Sequence, residues 1–274
     1  MNLSLATLSE NTALLPSLLS EYGLSILIET DDCKVLLDTG QGISVVHNAP
    51  AMGIDLPTVD KIVLSHGHFD HTGGLRDVLA RIKKRVDIIA HPDIWDPKYA
   101  GQGLRYIGIP FQKAELEGLG ASFVLTKEPI WITDSIVTTG EIPMVTEDEK
   151  IDSDLFIKKD NSYIPDPLMD DRAVIIKTAQ GLVVVLGCAH RGTINTLRYA
   201  QELTGEERIY AIVGGTHLGR STEIQLETTI AELREMGVQK IGACHCTGLP
   251  VACRLAREFR EGFFFNNAGT RIGL

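Results

Sequence analysis

Apolar residues along this chain alternate between short runs and helical stripes. "GLSILIET" (23–30) and "CKVLLDTG" (33–40) read as two strands joined by a turn at Asp31 and Asp32, an antiparallel hairpin. "GISVVHNAPAMG" then has a helical pattern, and "KIVLSH" (61–66) is an apolar strand. In "GGLRDVLARIKKR" the residues Leu75, Val78, Leu79 and Ile82 recur at helical spacing and make one apolar stripe. "VDIIAHP" is a further strand. Beyond residue 94 the pattern fades, and Pro97, Pro110 and many glycines predict loop with short elements. "EPIWITDSIVTTGEIP" restarts the strands. The acidic, proline-bearing stretch from Glu147 to Asp171 is the candidate loop or lid, expected to close over a ligand.

"RAVIIKTAQGLVVVLGCAH" (172–190) reads as a second hairpin turning near Gln180 and Gly181, with an outgoing strand apolar on both faces. The last third alternates: helix from Thr193 to Gln201, strand "IYAIVGG", helix "TEIQLETTIAELREMG" stopped by Gly237, strand "KIGACH", helix "LPVACRLAREFR". No short repeat of fixed period is present. Each half instead opens on a hairpin and moves into strand–helix alternation. That rhythm predicts an α/β fold of two sheets with helices outside, a four-layer αββα sandwich, as one domain over residues 1–274.

Composition changes this picture only by exclusion. The chain has 274 residues, 44% hydrophobic and 23% charged, as globular proteins do. Its formal charge of −10 argues against nucleic acid as a partner, because that role needs a basic face. A small anionic substrate stays open, since bound metal inverts the local potential. The start "MNLSLATLSENTALL" lacks a basic region followed by an unbroken apolar stretch, and no apolar run approaches the ~20 residues of a membrane span. Five scattered cysteines without a CxxC pair fit reduced thiols, so a cytoplasmic protein is expected. The oligomeric state is not legible.

Candidate chemistry lies in the histidines. Of eight, six follow a predicted strand: His66, His68, His71, His190, His217 and His245. His47 and His91 read as ordinary surface or satisfied residues. "SHGHFDHTGG" (65–74) crowds three histidines and an aspartate into six positions, a poor choice for a core and a good one for a metal ion. In extended backbone His66 and His68 point to one side and can grip one ion. Asp70 shares that parity, and with His71 offers a place for a second ion. Nitrogen donors with a carboxylate suit zinc, manganese or iron.

"SHGHFDHTGG" resembles the H-x-H-x-D-H signature of the metallo-β-lactamase superfamily, and "LLDTG" (36–40) its strand-end aspartate motif. "GCAHRG" around His190 and "CHCTG" around His245 follow in the expected order. Within the superfamily, "EYGLS", "GCAHRGTINTL", "GGTHL" and "HCTG" look like the branch containing the dihydropterin-ribofuranosylaminobenzene 5'-phosphate synthases. The resemblance implies the αββα metallo-β-lactamase fold and two divalent metal ions, zinc first, with manganese, iron or magnesium as alternatives. It also implies their ligands: His66, His68 and His190 for one ion, and Asp70, His71 and His245 for the other. Asp38 would orient a ligand histidine, although a turn aspartate bonding its own backbone is an equal reading.

One departure stands out. In much of the superfamily an aspartate bridges both ions, whereas here "IYAIVGG" ends in "THL", with His217. A neutral imidazole has one lone pair and cannot bridge. With Asp70 as sole carboxylate, two divalent ions keep a charge of about +3 instead of about +2, which favours polyanions such as phosphate or diphosphate. Asp70 and His217 are the residues expected in catalysis. Cys244 and Cys246 flank His245 and, on a continuing strand, are core thiols pointing away from it. Arg191, Lys158, Lys159 and Arg172 are candidates for gripping a phosphate.

The expected function is a metal-dependent enzyme acting on a phosphate-bearing small molecule. Transfer of a pterin-methyl group from its diphosphate to an aminobenzene ribose phosphate is what the branch implies. Hydrolysis of a phosphoester or lactone is what the superfamily implies. A binding protein whose ions only staple its sheets is the reading from another class.

Overall fold

The structure is a computed structural model describing residues 2–274. In chain order it contains β1 (Leu3–Ser9), β2 (Ser25–Thr30), β3 (Lys34–Leu37), α1 (Ser44–Ala51), β4 (Lys61–Val63), α2 (Phe69–Thr72), α3 (Leu75–Ile82) and β5 (Val86–Ala90). Then come β6 (Lys98–Ala100), β7 (Arg105–Tyr106), α4 (Lys113–Gly118), β8 (Ala121–Leu125), β9 (Ile130–Trp131), β10 (Ile136–Thr138), β11 (Leu155–Lys159) and β12 (Ser162–Pro165). The remainder is β13 (Ala173–Thr178), β14 (Gly181–Leu186), α5 (Thr193–Thr204), β15 (Ile209–Gly215), α6 (Glu223–Glu235), β16 (Lys240–Cys244), α7 (Leu249–Phe259) and β17 (Arg271–Gly273).

These elements form two compact units interleaved along the chain. One comprises residues up to Lys127, Asp152–Asp170 and Asn267–Leu274; the other comprises Glu128–Ile151 and Asp171–Asn266. The first holds a seven-stranded sheet in the order β17-β1-β2-β3-β4-β5-β8 and a four-stranded sheet in the order β12-β11-β6-β7. The second holds a six-stranded sheet in the order β16-β15-β14-β13-β10-β9.

Packing follows from the side-chain periods. On one face of the seven-stranded sheet Ala6, Leu27, Leu36, Ile62 and Ile88 meet Val45 and Ala49 of α1 and the expected stripe Leu75, Val78, Leu79 and Ile82 of α3. In the second unit Ile175, Val184 and Ile212 meet Ile194 and Leu197 of α5, Ile230 and Leu233 of α6, and Leu255 of α7. Alternate residues on the opposite faces, Ile26, Ile28, Val63, Ile176 and Val185 among them, are buried as well. Each fully buried aliphatic side chain contributes about 1.5–3 kcal/mol, so these strands read as apolar on both faces.

Strand direction fixes where chemistry can gather. β3, β4, β5 and β8 pair in parallel, as do β14, β15 and β16, with helices in the crossovers. Parallel strands bring their C-terminal loops to one edge of a sheet. Asp38 and His66 follow β3 and β4; His190, His217 and His245 follow β14, β15 and β16.

Three findings differ from expectation. β1 and β17, the sheet's edge pair with Ser4 opposite Gly273, lie outside the expected elements. Asp70 is not in extended backbone, because α2 begins immediately after His68. Within the 147–171 stretch, expected as loop or lid, the backbone is a hairpin and not a loop: β11 and β12 pair antiparallel and join β6 in the four-stranded sheet. Its turn residues Asp160 and Asn161 have φ of 46° and 66°, the left-handed pair that a two-residue hairpin turn requires. Among the described residues no helix is long and apolar enough to cross a membrane.

Candidate metal centre

In the first unit the cluster starts from Asp38, held at φ 58° just past β3. Its Oδ1 accepts the Ser65 N–H at 2.7 Å, and its Oδ2 accepts the Ser65 hydroxyl at 2.6 Å. His71 Nδ1 donates to the same Oδ2 at 2.7 Å. A carboxylate can only accept, so His71 carries its proton on Nδ1 and leaves Nε2 unprotonated, 3.9 Å from Asp70 Oδ2. Asp38 thus spends its carboxylate on Ser65 and His71 and not on its own turn.

The same bookkeeping of protons fixes His66. Ser65 spends its only hydroxyl proton on Asp38, so at 2.9 Å it accepts from His66 Nδ1. His66 Nε2 is then a lone pair facing His68 Nδ1 at 2.9 Å. Burial draws the His68 imidazole down to about 3, so it is neutral near pH 7, and it too is a lone-pair donor. Buried imidazoles with an unprotonated nitrogen beside a buried carboxylate are donor types suited to a divalent cation.

The loop carrying these donors is clamped from below. Gly67 N–H donates to Asp170 Oδ2 at 2.8 Å, and Asp170 Oδ1 is 3.0 Å from Lys98 Nζ, which also reaches Asp166 at 2.8 Å. Although burial opposes it, the Lys98 ammonium holds the Asp170 carboxyl below its ordinary range. A Cβ at Gly67 would stand 2.5 Å from the Ile94 carbonyl oxygen, so no other residue fits without movement. Neither Lys98 nor Asp170 carries a local signal; their partners are 72 and 103 residues away in sequence.

In the second unit three non-glycine residues adopt left-handed backbone where a strand gives way to its loop: Ala189 (φ 54°), His217 (φ 52°) and His245 (φ 53°). Such conformations cost about 1–3 kcal/mol each and gather at functional sites. His190 and His217 lie in tilted ring contact, their centroids 4.1 Å apart and their planes at 48°. Cys188, His190 and His217 place their donor atoms within 4.8 Å of one another, and so do Cys188, His245 and Cys246.

The cysteines correct an expectation. The strand stops at Cys244, and the left-handed turn at His245 brings Cys246 back toward the histidines, so parity no longer holds. Cys246 Sγ accepts the His217 N–H at 3.2 Å. Burial opposes the shift, but hydrogen bonds from Cys188 and His217 and the charge of His217 and His245 bring this thiol well below its ordinary range. Cys244 is the buried thiol that was expected, accepting from Asn266 at 3.4 Å.

The other sequence candidates sit elsewhere. His91 is buried and caps its own turn by accepting the Asp93 N–H, and His47 reaches the Ser17 carbonyl. Arg191 is buried, its Nε committed to the Ile142 carbonyl at 2.6 Å. Lys158 stands over the Tyr163 ring on the hairpin, Lys159 pairs with Asp96, and Arg172 is fully buried.

Residues 21–211 match the model of the metallo-beta-lactamase superfamily. The chain is 32% identical to the 7,8-dihydropterin-6-methyl-4-(beta-D-ribofuranosyl)-aminobenzene-5'-phosphate synthase of Methanocaldococcus jannaschii, over 99% of this chain and 96% of that one. It is 30% identical to an uncharacterized protein of the same organism, over 97% and 98% of the two. Among solved structures it is similar to a metal-dependent hydrolase of the beta-lactamase superfamily, with a TM-score of 0.86, 28% identity and 99% of each chain covered. The fold agrees with these likenesses. The chain belongs to the metallo-β-lactamase superfamily and is an enzyme of that superfamily.

Proposed function

We propose that this enzyme is a metal-dependent transferase of the synthase kind, joining a dihydropterin-methyl group, supplied as its diphosphate, to an aminobenzene ribofuranosyl 5'-phosphate. The observation that carries this reading is the 32% identity running the length of both chains, well beyond the histidine motifs. In this proposal the interleaved units act as one domain of a cytoplasmic protein. Its ligand sets are His66, His68 and His190 for one divalent ion, and Asp70, His71 and His245 for the other, zinc before manganese, iron or magnesium.

Bound there, the ions supply Lewis-acid polarisation and neutralise charge on the departing diphosphate. The protein's own residues do the rest. Asp38 and Ser65 fix the tautomers of His71 and His66, as their hydrogen bonds dictate. Asp70, which keeps a tenth of its side chain exposed, holds or passes a proton at a carboxylate oxygen. His217, in tilted ring contact with His190, is the second proton-handling group. The second reading, hydrolysis of a phosphoester, draws on the likeness to the metal-dependent hydrolase.

One experiment separates the readings. Protein loaded with zinc or manganese is given the pterin-methyl diphosphate and the aminobenzene ribofuranosyl 5'-phosphate, and in parallel bis-p-nitrophenyl phosphate. Coupled product by mass spectrometry is the expected result, lost by about 100-fold or more in a folded His68→Ala variant. Phosphodiester turnover without coupling would move the assignment to hydrolase. Tight metal binding with neither reaction would leave only a structural staple.

A further inference from the structure

The second unit contains a donor that the ligand sets above leave out. Cys188 Sγ is common to both of this unit's donor groups, lying within 4.8 Å of donor atoms of His190 and His217 and also of those of His245 and Cys246. It is 3% exposed, at the end of β14 just ahead of His190. The second sulfur has space made for it. A Cβ on Gly215 would stand 2.6 Å from Cys246 Sγ and 2.5 Å from the Gly187 carbonyl oxygen. A backbone amide, that of His217, points at this sulfur.

Lone pairs decide what Cys188 can do. An imidazole has one and serves a single ion; a thiolate has three and can serve two. Metal–sulfur bonds of about 2.3 Å and metal–nitrogen bonds of about 2.0–2.1 Å put tetrahedral neighbours roughly 3.5 Å apart, inside the 4.8 Å limit that these donor atoms keep. Resting on the assignment of His190 and His245 to different ions, we propose that Cys188 is a shared thiolate ligand of both, in place of the bridging aspartate. Cys246 is then a terminal ligand on the His245 side. The thiol protons leave to solvent as the ions bind, and each thiolate removes one positive charge from the centre. Soft sulfur donors also turn its preference toward zinc and away from magnesium.

Cadmium NMR of protein loaded with cadmium alone tests this. The expected spectrum has two resonances, both displaced into the range of sulfur-bound cadmium. Cys188→Ser moves both back, Cys246→Ser moves one, and Cys253→Ser, at an exposed cysteine on α7, moves neither. Two resonances in the nitrogen–oxygen range, or only one affected by Cys188→Ser, would overturn the bridge. The wild-type spectrum decides even where a variant fails to fold. Cadmium bound without sulfur refutes this inference alone, whereas no binding at all refutes the metal assignment it rests on.

Discussion

Asp38 shows how much one buried side chain decides. It receives both donors of Ser65 and the ring proton of His71, and so determines which nitrogen of two histidines carries the proton. Asp38→Asn keeps a side chain that tolerates the left-handed backbone but offers an N–H where a lone pair is needed. Metal affinity is expected to fall about 10–100-fold, read by competition with a chromophoric chelator. Unchanged affinity would reduce Asp38 to a turn residue. His217→Gln is expected to lower turnover while metal content stays, since the proposed ligand sets do not include it; metal analysis beside the assay checks this. At this scale the H-x-H-x-D-H spacing, His190 and His245 were legible in the sequence. Cys188 and Cys246 were not, because the left-handed turns at Ala189 and His245 cancel the alternation from which side-chain direction is read.

The element scale turns on the clamp beneath the histidine loop. Lys98 on β6 joins Asp166 and Asp170, all three almost fully buried, and through Asp170 reaches Gly67. Replacing the cation leaves two carboxylates buried without it, so Lys98→Met is expected to cost about 3–5 kcal/mol in denaturant unfolding. The pH dependence follows from the same charges. Burial pushes the Lys98 ammonium down, but Asp170 and Asp166 outweigh burial and raise it above the ordinary lysine value of 10.5. A raised cation stabilises the fold fully below its unfolded value and loses that contribution as pH rises through the folded one. The gap between wild type and Lys98→Met is therefore expected to be flat from about pH 7 to about pH 9 and to narrow above 10.5. A gap that closes on acidification instead would show that the ion pairs do not dominate. Gly67→Ala, pressed against Ile94, is expected to cost about 1–3 kcal/mol by overpacking. Amphipathic stripes such as that of α3 were legible as elements. The hairpin of β11 and β12 was not, because its charged and proline-bearing composition outweighed the Asp160–Asn161 turn signal.

For the molecule as a whole, a bound ion stabilises whatever fold holds it. At a free metal concentration of 100 times Kd that contribution is about 2.7 kcal/mol. Stripping the protein with a chelator should lower Tm by roughly 2–4 °C per kcal/mol, and zinc should restore it. A melting curve indifferent to both treatments would separate the donors from any metal. Net charge belongs to this scale too: at −10, the chain needs a local positive centre before it attracts a polyanion, so substrate affinity should fall steeply on metal removal.

Most of the strands and helices from β2 to β5 and from β13 to α7, the apolar stripes and the placing of the motif histidines past strand ends were legible in the sequence alone, because periods of 2 and 3.6 are local properties. Tertiary structure alone decided which nitrogen of His66 and His71 carries the proton, which thiols reach the histidines, and that a lysine and two aspartates brace Gly67. Each depends on parallel strand register, on left-handed residues at strand ends, or on partners distant in sequence, and none of these leaves a trace in the local pattern of side chains.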